Sequence, residues 1–511
     1  MNNSNLFTAL RAAFPADDTA IAIETADTPV PLFYTWRDLD RATAMMANLI
    51  DSLDLPPASR IAVQVDKSVE ALMLYLAVLR AGHVFLPLNT AYQAAEVEYF
   101  VGNAEPAVVV CSSRNFGWVS KLAFRLGTKN VFTLDDDRTG TLLERAVFHS
   151  AEHVPAPRGA DDLAAILYTS GTTGRSKGAM LSHGNLLSNA QVLKDAWGWT
   201  KGDVLIHALP IFHVHGLFVA SHGALLNGSR MIWFSRFDAR ATMTRLPEAT
   251  VFMGVPTLYV RLLAEPGFGR DVCKGMRLFV SGSAPLLLET FNEFRERSGH
   301  TILERYGMSE TVMLTSNPYR PESARQGGTV GPALPGVGVR VHDDEGRPLP
   351  AGEIGHIQVR GPNVFQGYWR MPEKTKEEFT PDGWFKTGDV GRIDAKGVVT
   401  IVGRSKDLVI SGGYNVYPAE IEGFINDMPG VAESAVVGVP HPDFGEAVVA
   451  VVVAKPGATV SGPEIAAKLK GQIANFKVPK LVDVVAELPR NTMGKVQKNL
   501  LRDKHKGLFA R

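Results

Sequence analysis

Cysteine is scarce in this sequence, and several other features are missing altogether. The chain of 511 residues has only two cysteines, too few for a disulfide framework or a thiolate metal site. Its 53 basic and 53 acidic residues cancel, which gives no support to nucleic-acid binding or to attachment on an anionic membrane. No apolar run approaches the roughly 18 residues that a membrane-spanning helix needs. The sequence therefore predicts an ordinary globular protein without a membrane span.

The beginning of the sequence also lacks targeting features. Residues 1–14 have no basic start followed by a long apolar run and a cleavage site of small residues, as a secretory signal peptide would. Cys111 and Cys273 stand among apolar residues, and we expect both thiols to be buried and inert. Together these absences lead us to expect a reducing, cytoplasmic location.

Length and residue pattern divide the chain into parts. A chain of 511 residues is too long for one core, so we expect at least two domains. Up to about residue 330, short apolar runs alternate with helical spacing, as in residues 61–65, 69–81 and 84–88, which predicts parallel βαβ units. The fold class is therefore predicted as α/β, with doubly wound sheets in a large N-terminal domain.

The pattern changes twice after that point. Glycine and proline become frequent from residue 330, and short alternating runs predict a small, antiparallel, barrel-like region. Beyond residue 404 the helices and strands form a compact α+β module of a size that can fold alone. We therefore place an N-terminal domain at residues 1–403 and a small C-terminal domain at 404–511.

The stretch from Tyr168 to Gly178 reads Tyr-Thr-Ser-Gly-Thr-Thr-Gly-Arg-Ser-Lys-Gly. We predict a loop here that joins a strand to a helix. Its glycines let backbone N–H groups approach a ligand, and its hydroxyls and Lys177 donate to anionic oxygens, so the loop suits a polyphosphate. It is not a Walker A loop, because Lys177 follows Ser176 instead of glycine. The alternative interpretation is an ordinary solvated loop.

Further motifs follow this loop in a fixed order. They are Tyr306-Gly307-Met308-Ser309-Glu310, Tyr368-Trp369, Thr387-Gly388-Asp389, Gly403-Arg404 and Pro489-Arg490-Asn491-Thr492-Met493-Gly494-Lys495. From about residue 30 to 505, the chain resembles the adenylate-forming superfamily, which includes acyl-CoA synthetases, luciferases and peptide-synthetase adenylation domains. Within that superfamily it resembles the malonyl-CoA synthetases, or malonate–CoA ligases. Residues 207–216, 253–257 with Arg261, and 489–501 carry this narrower likeness.

The resemblance implies a ligase that uses ATP, Mg²⁺ and coenzyme A in two steps. A carboxylate first attacks the α-phosphorus of ATP and gives an acyl-adenylate and pyrophosphate. The thiol of coenzyme A then displaces AMP and forms a thioester. The positions assigned to the nucleotide or to coenzyme A are Thr169, Ser170, Gly171, Thr172, Thr173, Gly174, Lys177, Ser283, Ala284, Pro285, Glu304, Arg305, Tyr306, Gly307, Met308, Ser309, Asp389, Arg404, Lys406, Gly412, Gly413 and Tyr414.

Catalysis is assigned by the resemblance to Lys495, Glu310 and His213. Glu310 and Thr169 would hold Mg²⁺, a hard cation that suits carboxylate and phosphate oxygens. Lys495 would offset the repulsion between the carboxylate and the α-phosphate. Lys495 lies in the C-terminal domain at residues 404–511, which we also call the tail. This domain is therefore expected to be mobile, with its hinge at Lys406. The resemblance also implies a lysine acyltransferase or deacylase acting on Lys495.

A malonate substrate would bring a second carboxylate that stays ionised, so its pocket needs a fixed cation. Arg261 stands in an otherwise apolar segment, residues 256–263, and its guanidinium can bind a carboxylate through two hydrogen bonds. An arginine that faces solvent is the alternative. The other expected substrate-binding residues are His213, Ser281, Ser283 and Met308. His213 and His215 have no acidic or cysteine partner at ligand spacing, which excludes a metal pair.

Three other functions stay open at this point. One is an acyl-CoA synthetase for another acid, medium-chain or aryl. Another is a stand-alone adenylation domain that loads a carrier protein, although the sequence shows no carrier segment. The last is a non-catalytic nucleotide-binding protein, which the presence of Lys495 and Glu310 disfavours.

Overall fold

The computed structural model describes residues 3–169, 176–411, 414–442, 444–470, 472–491 and 494–509. Within this part the α-helices span Leu6–Arg11, Trp36–Asp51, Val69–Arg80, Ala94–Ala104, Phe116–Arg125, Thr141–Ala146, His183–Ala196, Ser221–Leu225, Ala239–Arg245, Pro256–Ala264, Arg270–Cys273, Leu288–Ser298, Pro372–Glu378, Pro418–Asn426, Gly462–Lys470 and Lys498–His505. Single turns of 3₁₀-helix span Ser113–Asn115, Leu246–Glu248, Glu322–Ala324 and Ser405–Asp407, and a π-helix spans His215–Ala220.

Two large, mostly parallel sheets form the body of the protein. In spatial order, the strands described for one sheet are Val312–Ser316, Leu303–Met308, Leu278–Ser281, Val251–Gly254, Val204–His207, Arg230–Trp233, Ile21–Thr25 and Phe33–Thr35. Those of the other are Asn130–Thr133, Val108–Cys111, Arg60–Gln64, Val84–Pro87, Leu163–Thr169 and Lys177–Ser182. The inner strands pair in parallel, and antiparallel strands lie only at edges. The α/β class and the doubly wound sheets are confirmed.

The helix Val69–Arg80 packs between the two sheets and is buried on every side. Its Tyr75 ring lies 5.0 Å from the ring of Phe85, which belongs to one sheet. It also lies 6.0 Å from the ring of Phe218, in the π-helix His215–Ala220 that follows the strand Val204–His207 of the other sheet. The Tyr75 hydroxyl also forms a 2.8 Å hydrogen bond with Nε2 of His222. An uninterrupted apolar sequence in a helix is typical of this position, since no face meets water. Both cysteines are buried, as expected.

Two smaller sheets complete the chain. Gly338–His342, Gly355–Arg360, Phe385–Ile393 and Val399–Arg404 form the expected antiparallel region. Tyr414–Val416, Val409–Ser411, Gly445–Ala454, Val431–His441 and Leu481–Val485 form the sheet of the C-terminal part, where helices cover it as predicted. The predicted boundary at residue 404 falls where one sheet ends and the short 3₁₀ turn Ser405–Asp407 begins. Among the described residues, no helix combines the length and apolar character needed to cross a bilayer.

One expectation about the glycine-rich loop is wrong. The loop joins two antiparallel strands, Leu163–Thr169 and Lys177–Ser182, and does not lead directly into a helix. The helix begins only at His183, where Ser182 and Asn185 form a reciprocal capping box. The mixed sequence Lys-Gly-Ala-Met-Leu-Ser has weak strand preference of its own, and its strand conformation comes from pairing with the buried strand beside it.

Candidate active site

The candidate residues meet where strands of the larger sheet end, the usual ligand position in open α/β sheets. Ser281 and Met308 are the last residues of neighbouring strands. The antiparallel strands Phe385–Ile393 and Val399–Arg404 bring Asp389 and Arg404 to the same place, and the tail brings Lys495. Lys495 interacts electrostatically with Asp389, Arg404, Arg305 and Glu310. Residues that lie far apart in the sequence therefore surround one space.

Asp389 is the centre of a buried polar cluster. Arg404 lies directly opposite it on the neighbouring strand, and Nε of Arg404 is 2.6 Å from Oδ1 of Asp389. The Tyr306 hydroxyl donates to the other carboxylate oxygen. Burial raises the pKa of Asp389, and the nearby Arg404 guanidinium opposes that rise. The cluster holds a carboxylate in one orientation, where its remaining acceptor sites could receive two neighbouring hydroxyl groups.

Glu310 lies in the turn between Leu303–Met308 and Val312–Ser316 and is 5% exposed. The Tyr368 hydroxyl donates to its Oε1 over 3.0 Å. Burial raises the pKa of Glu310, and the Tyr368 hydrogen bond and Lys177 oppose that rise. Among the described residues, no three His, Cys, Asp or Glu side chains come together as a metal site. Glu310 could thus supply a single protein ligand to an ion that takes its other ligands from phosphate and water, which is the habit of Mg²⁺.

The glycine-rich loop itself, from Ser170 to Gly174, lies outside the described residues. Thr169 and Lys177, at its two ends, are paired across the hairpin. The Lys177 ammonium is 3.5 Å from Glu378 and lies 4.3 Å from the centre of the Tyr368 ring. Because Tyr368 also contacts Glu310, the end of the loop adjoins the Glu310 carboxylate.

The remaining nucleotide and coenzyme A candidates are distributed around this centre. Ser283 adopts a left-handed backbone conformation with φ of 71°, and its hydroxyl lies 3.4 Å from Nδ1 of His215. Glu304 is buried, accepts from the backbone N–H of Gly328, and has a pKa raised to about 8 by burial. Lys406 stands in the 3₁₀ turn of the junction, where burial lowers its pKa. Gly412 and Gly413 lie outside the described residues, and Tyr414 begins the strand that follows.

Lys495 reaches this centre from a tight turn of the tail. The Asn491 side chain accepts from the backbone N–H of Lys495 over 3.0 Å, and the Asn491 N–H donates back to the Lys495 carbonyl over 2.9 Å. Burial lowers the pKa of Lys495 to about 8, and the Arg404 guanidinium acts in the same direction. Gly494 has a φ of 75°, and a Cβ built on it would be 3.3 Å from Oγ1 of Thr257. The turn is therefore seated against the helix Pro256–Ala264 of the large domain.

An unpaired buried cation lies beside the expected acid pocket. The Arg305 side chain is 3% exposed, and its Nε and Nη2 have no hydrogen-bond partner among the residues that the structure describes. Its charge acts on His213 and on Lys495. Burial lowers the pKa of Arg305 to about 9. A Cβ at Gly282 would lie 2.5 Å from the Arg305 guanidinium, so glycine is needed there.

Other polar atoms in this pocket also lack partners. Nδ1 of His213, Nε2 of His215 and Oγ of Ser281 are buried and form no hydrogen bond with the described part of the chain. Burial lowers the pKa of His213 to about 3, and the charges of Lys495 and Arg305 act in the same direction. Native proteins rarely leave several neighbouring buried polar atoms unsatisfied, and such atoms call for a ligand or water.

The sequence analysis grouped Arg305 with the nucleotide residues, whereas the structure places it with His213. The sequence could have predicted this position of Arg305, because consecutive side chains of a β-strand point to opposite faces. Since Tyr306 contacts Asp389 on the nucleotide side, Arg305 must point to the other side.

Arg261 occupies a different position from Arg305. It is exposed and lines a cavity of about 680 Å³ between the two sheets and the tail. Thr257, Gly494 and Lys67 line the same cavity. Thr257 and Arg261 are four residues apart in the helix and thus share a face, so Arg261 is on the side of the helix that meets the Lys495 turn.

Comparisons with known proteins agree with this arrangement. The family model described as AMP-binding enzyme matches residues 11–369, and the AMP-binding enzyme C-terminal domain matches residues 420–495. The chain therefore belongs to the AMP-binding enzyme family. As its relatives also show, it is an AMP-forming acid–thiol ligase.

Particular relatives narrow the comparison. A mitochondrial malonate–CoA ligase of Mus musculus is 37% identical over 464 residues, which cover 82% of this chain and 77% of the relative. A feruloyl-CoA synthase of an Amycolatopsis species is 34% identical over 474 residues, with 92% and 93% covered. The MatB chain in the ATP-bound crystal structure from Rhodopseudomonas palustris is 53% identical in sequence to this chain. The match covers 99% of this chain and 100% of the MatB chain, with a TM-score of 0.96.

Proposed function

We propose that the protein is a malonate–CoA ligase that also accepts methylmalonate. One carboxylate of malonate attacks the α-phosphorus of ATP, which gives malonyl-AMP and pyrophosphate. The thiol of coenzyme A then displaces AMP and gives malonyl-CoA. The name of the Mus musculus relative supports malonate as the acid, and the chemistry of the pocket supports it independently.

The observation that carries the proposal is the unpaired guanidinium of Arg305 beside His213 and Lys495. A buried cation without a partner is costly, and a carboxylate that binds it offsets that cost. An alkyl chain or an unsubstituted aromatic ring would leave the guanidinium unpaired. A dicarboxylic acid can place one carboxylate at the reaction centre near Lys495 and the other at Arg305.

Further contacts would orient the same acid. The free polar atoms of His213 and Ser281 are available to donate to a carboxylate or to bind its water. Ser283 and Met308 border the pocket from the strand ends, and Arg261 would approach it from the cavity wall. Arg305 would thus hold one carboxylate while the other lies near Lys495, and the fixed distance between the two cations would favour a short dicarboxylate.

The nucleotide roles follow from the charges already described. Asp389, held by Arg404, would bind the ribose hydroxyls, and Tyr306 and the turn Ser283-Ala284-Pro285 would contact the adenine. Thr169, Lys177 and the adjoining loop would hold the triphosphate. Mg²⁺, when bound with ATP, neutralises phosphate charge, and Glu310, with Thr169 beside it, would supply protein oxygen ligands.

Lys495 would stand between the attacking carboxylate and the α-phosphate. A fixed ammonium there offsets the repulsion of two anions and stabilises the charge that develops as they approach. The second step needs a path for the pantetheine thiol, and the wall of the cavity lined by Thr257 and Arg261 of the large domain would provide it. We propose that rotation of the C-terminal domain about Lys406 withdraws Lys495 and brings Gly412, Gly413 and Tyr414 to the thiol. Acylation of Lys495 and a cytoplasmic location stay predictions.

An aryl acid is the second candidate, because the feruloyl-CoA synthase is almost as similar as the malonate ligase. A panel assay separates the two. AMP release is measured with ATP, Mg²⁺ and coenzyme A for malonate, methylmalonate, succinate, acetate, octanoate and ferulate, and the thioester is identified by mass. We expect malonate to give the highest kcat/KM. A higher value for acetate, octanoate or ferulate would overturn the malonate assignment, and acyl-AMP without thioester would favour a carrier-loading enzyme.

A further inference from the structure

Lys67 lines the cavity that Thr257 and Gly494 also line, and the proposed function assigns this cavity to the pantetheine thiol. It precedes Ser68, which caps the buried helix Val69–Arg80. Its Nζ lies 2.8 Å from the carbonyl oxygen and 3.0 Å from Nδ1 of His207. No role in adenylation or thioester formation has been given to this amine, although it faces the same space as Gly494 and Thr257.

We propose that Lys67 is a self-acylation site that takes an acyl group from the acyl-CoA made by the enzyme. The proposal rests on the class of reaction, which yields a thioester, and not on the identity of the acid. The product would be an Nε-acyl-lysine in the wall of the cavity.

The surroundings of Lys67 favour a neutral amine, which is the nucleophilic form. Within the described ranges no carboxylate forms an ion pair with it. Asp66 pairs with Arg114 at 2.8 Å. Asp27 is the acid that acts on the charge of Lys67, and it accepts hydrogen bonds from the backbone N–H and hydroxyl of Ser235. Burial lowers the pKa of Lys67 well below its usual value.

The hydrogen bonds of His207 fix which of its nitrogens can accept. Nε2 lies 3.0 Å from the carbonyl oxygen of Gly216, so this nitrogen carries the proton. Nδ1 therefore has a free lone pair that accepts from Lys67. The two acceptors of His207, Nδ1 and the carbonyl, match the two N–H groups of a neutral amine, and the lone pair of that amine stays available.

Two effects on the charge of Lys67 oppose each other, the Trp233 ring and burial. The ring of Trp233 lies 4.3 Å from Nζ of Lys67, and this cation–π contact would favour an ammonium. Burial without a counter-ion disfavours the ammonium more strongly than one such contact favours it. The neutral form is therefore favoured overall.

The transfer needs no other reactant. The Lys67 nitrogen attacks the thioester carbonyl, a C–N bond forms, and the C–S bond breaks with the electron pair leaving on sulfur. The amine loses one proton, which passes along the hydrogen bond to Nδ1 of His207 and then to the thiolate. The balanced products are an amide on Lys67 and free coenzyme A.

The test uses the whole protein without ATP. The protein is incubated with acetyl-CoA or with malonyl-CoA, samples are denatured at timed intervals, and acyl occupancy at Lys67 and at exposed Lys201 is measured by peptide mass spectrometry. Lys201 is an internal control because it is exposed and reports the general reactivity of surface amines. We expect acylation at Lys67 to be at least ~10-fold faster than at Lys201, as a shifted protonation equilibrium allows.

Controls separate this site from general reactivity. Lys67→Arg should abolish the label at position 67 and leave the rate at Lys201 unchanged, while unfolding in urea should remove the preference. Equal or slower labelling of Lys67 with both thioesters, or a preference that survives unfolding, would overturn the proposal. The outcome does not depend on the acid panel, since the thioesters are added directly.

Discussion

Replacing Arg305 with methionine should lower the preference of the enzyme for malonate and raise the stability of the ligand-free protein. Methionine is uncharged, and its flexible side chain ends near the position of Nε, so Arg305→Met removes the guanidinium and keeps the apolar stem. In the ligand-free protein the change removes a buried cation whose Nε and Nη2 are unpaired. In the complex with malonate, the same change leaves one malonate carboxylate without the guanidinium that would bind it.

The size of each effect can be estimated. Leaving a buried carboxylate without its charged partner costs about 3–5 kcal/mol, which corresponds to a loss of roughly 10²–10⁴ in kcat/KM for malonate. A monocarboxylate makes no such contact and should keep its kcat/KM within about tenfold. Removing an uncompensated charge typically stabilises a protein by about 1–4 kcal/mol, so the melting temperature of the ligand-free variant should rise.

The assay compares kcat/KM for malonate and acetate, together with thermal unfolding. Arg325→Met is the matched control, because Arg325 is equally buried but donates to the carbonyls of Pro318 and Tyr319 at 3.0 and 2.6 Å. That variant should lower the melting temperature and leave the ratio of the two acids unchanged. If Arg305→Met also lowers the melting temperature and both acids lose activity equally, Arg305 is a structural residue and the selectivity argument fails.

Three further predictions concern the reaction centre. Lys495→Ala should slow acyl-AMP formation, measured by pyrophosphate exchange, by roughly 10²–10³, while thioester formation from supplied acyl-AMP should persist; an unchanged exchange rate would refute the role of Lys495. Because burial lowers the pKa of Lys495 to about 8 in the free protein, kcat/KM for ATP should fall as pH rises through that value and the ammonium is lost; a flat profile from pH 7 to 9 would contradict this. Asp389→Asn should raise KM for ATP by about tenfold, the worth of one charge-assisted hydrogen bond, whereas Asp382→Asn, at an exposed site paired with Arg340, should leave it unchanged.

Much of the fold could be predicted because its strands are short, buried and apolar. The helix predicted at residues 69–81 is observed at Val69–Arg80, and the strand predicted at 84–88 is observed at Val84–Pro87. In these segments local preference and burial agree. The strand Lys177–Ser182 was missed because it is held by pairing with Leu163–Thr169, and such long-range pairing leaves little mark on the sequence of the strand itself.

The site shows the same division between local and long-range information. Motif order placed Asp389, Arg404 and Lys495 at one centre, and the structure brings them within electrostatic reach. Motif order did not reveal which side of the strand each residue faces, and this is why Arg305 was grouped with the nucleotide. Nor did it reveal Lys67, whose environment depends on His207 and Trp233 from other strands.

The charges of the site explain why adenylation needs both parts of the chain. Burial lowers the pKa of Lys495 and Arg305, and raises that of Glu310 and Asp389. Burial thus makes each of these charges more costly in the protein than in water, and a bound group that pairs with it offsets part of that cost. The carboxylates and Arg305 belong to the large domain, whereas Lys495 comes from the tail. Since groups already in position need no reorganisation in the transition state, we expect the adenylation barrier to be lowest while the C-terminal domain is seated on the large domain, where Gly494 lies against Thr257 and Lys455 pairs with Glu289.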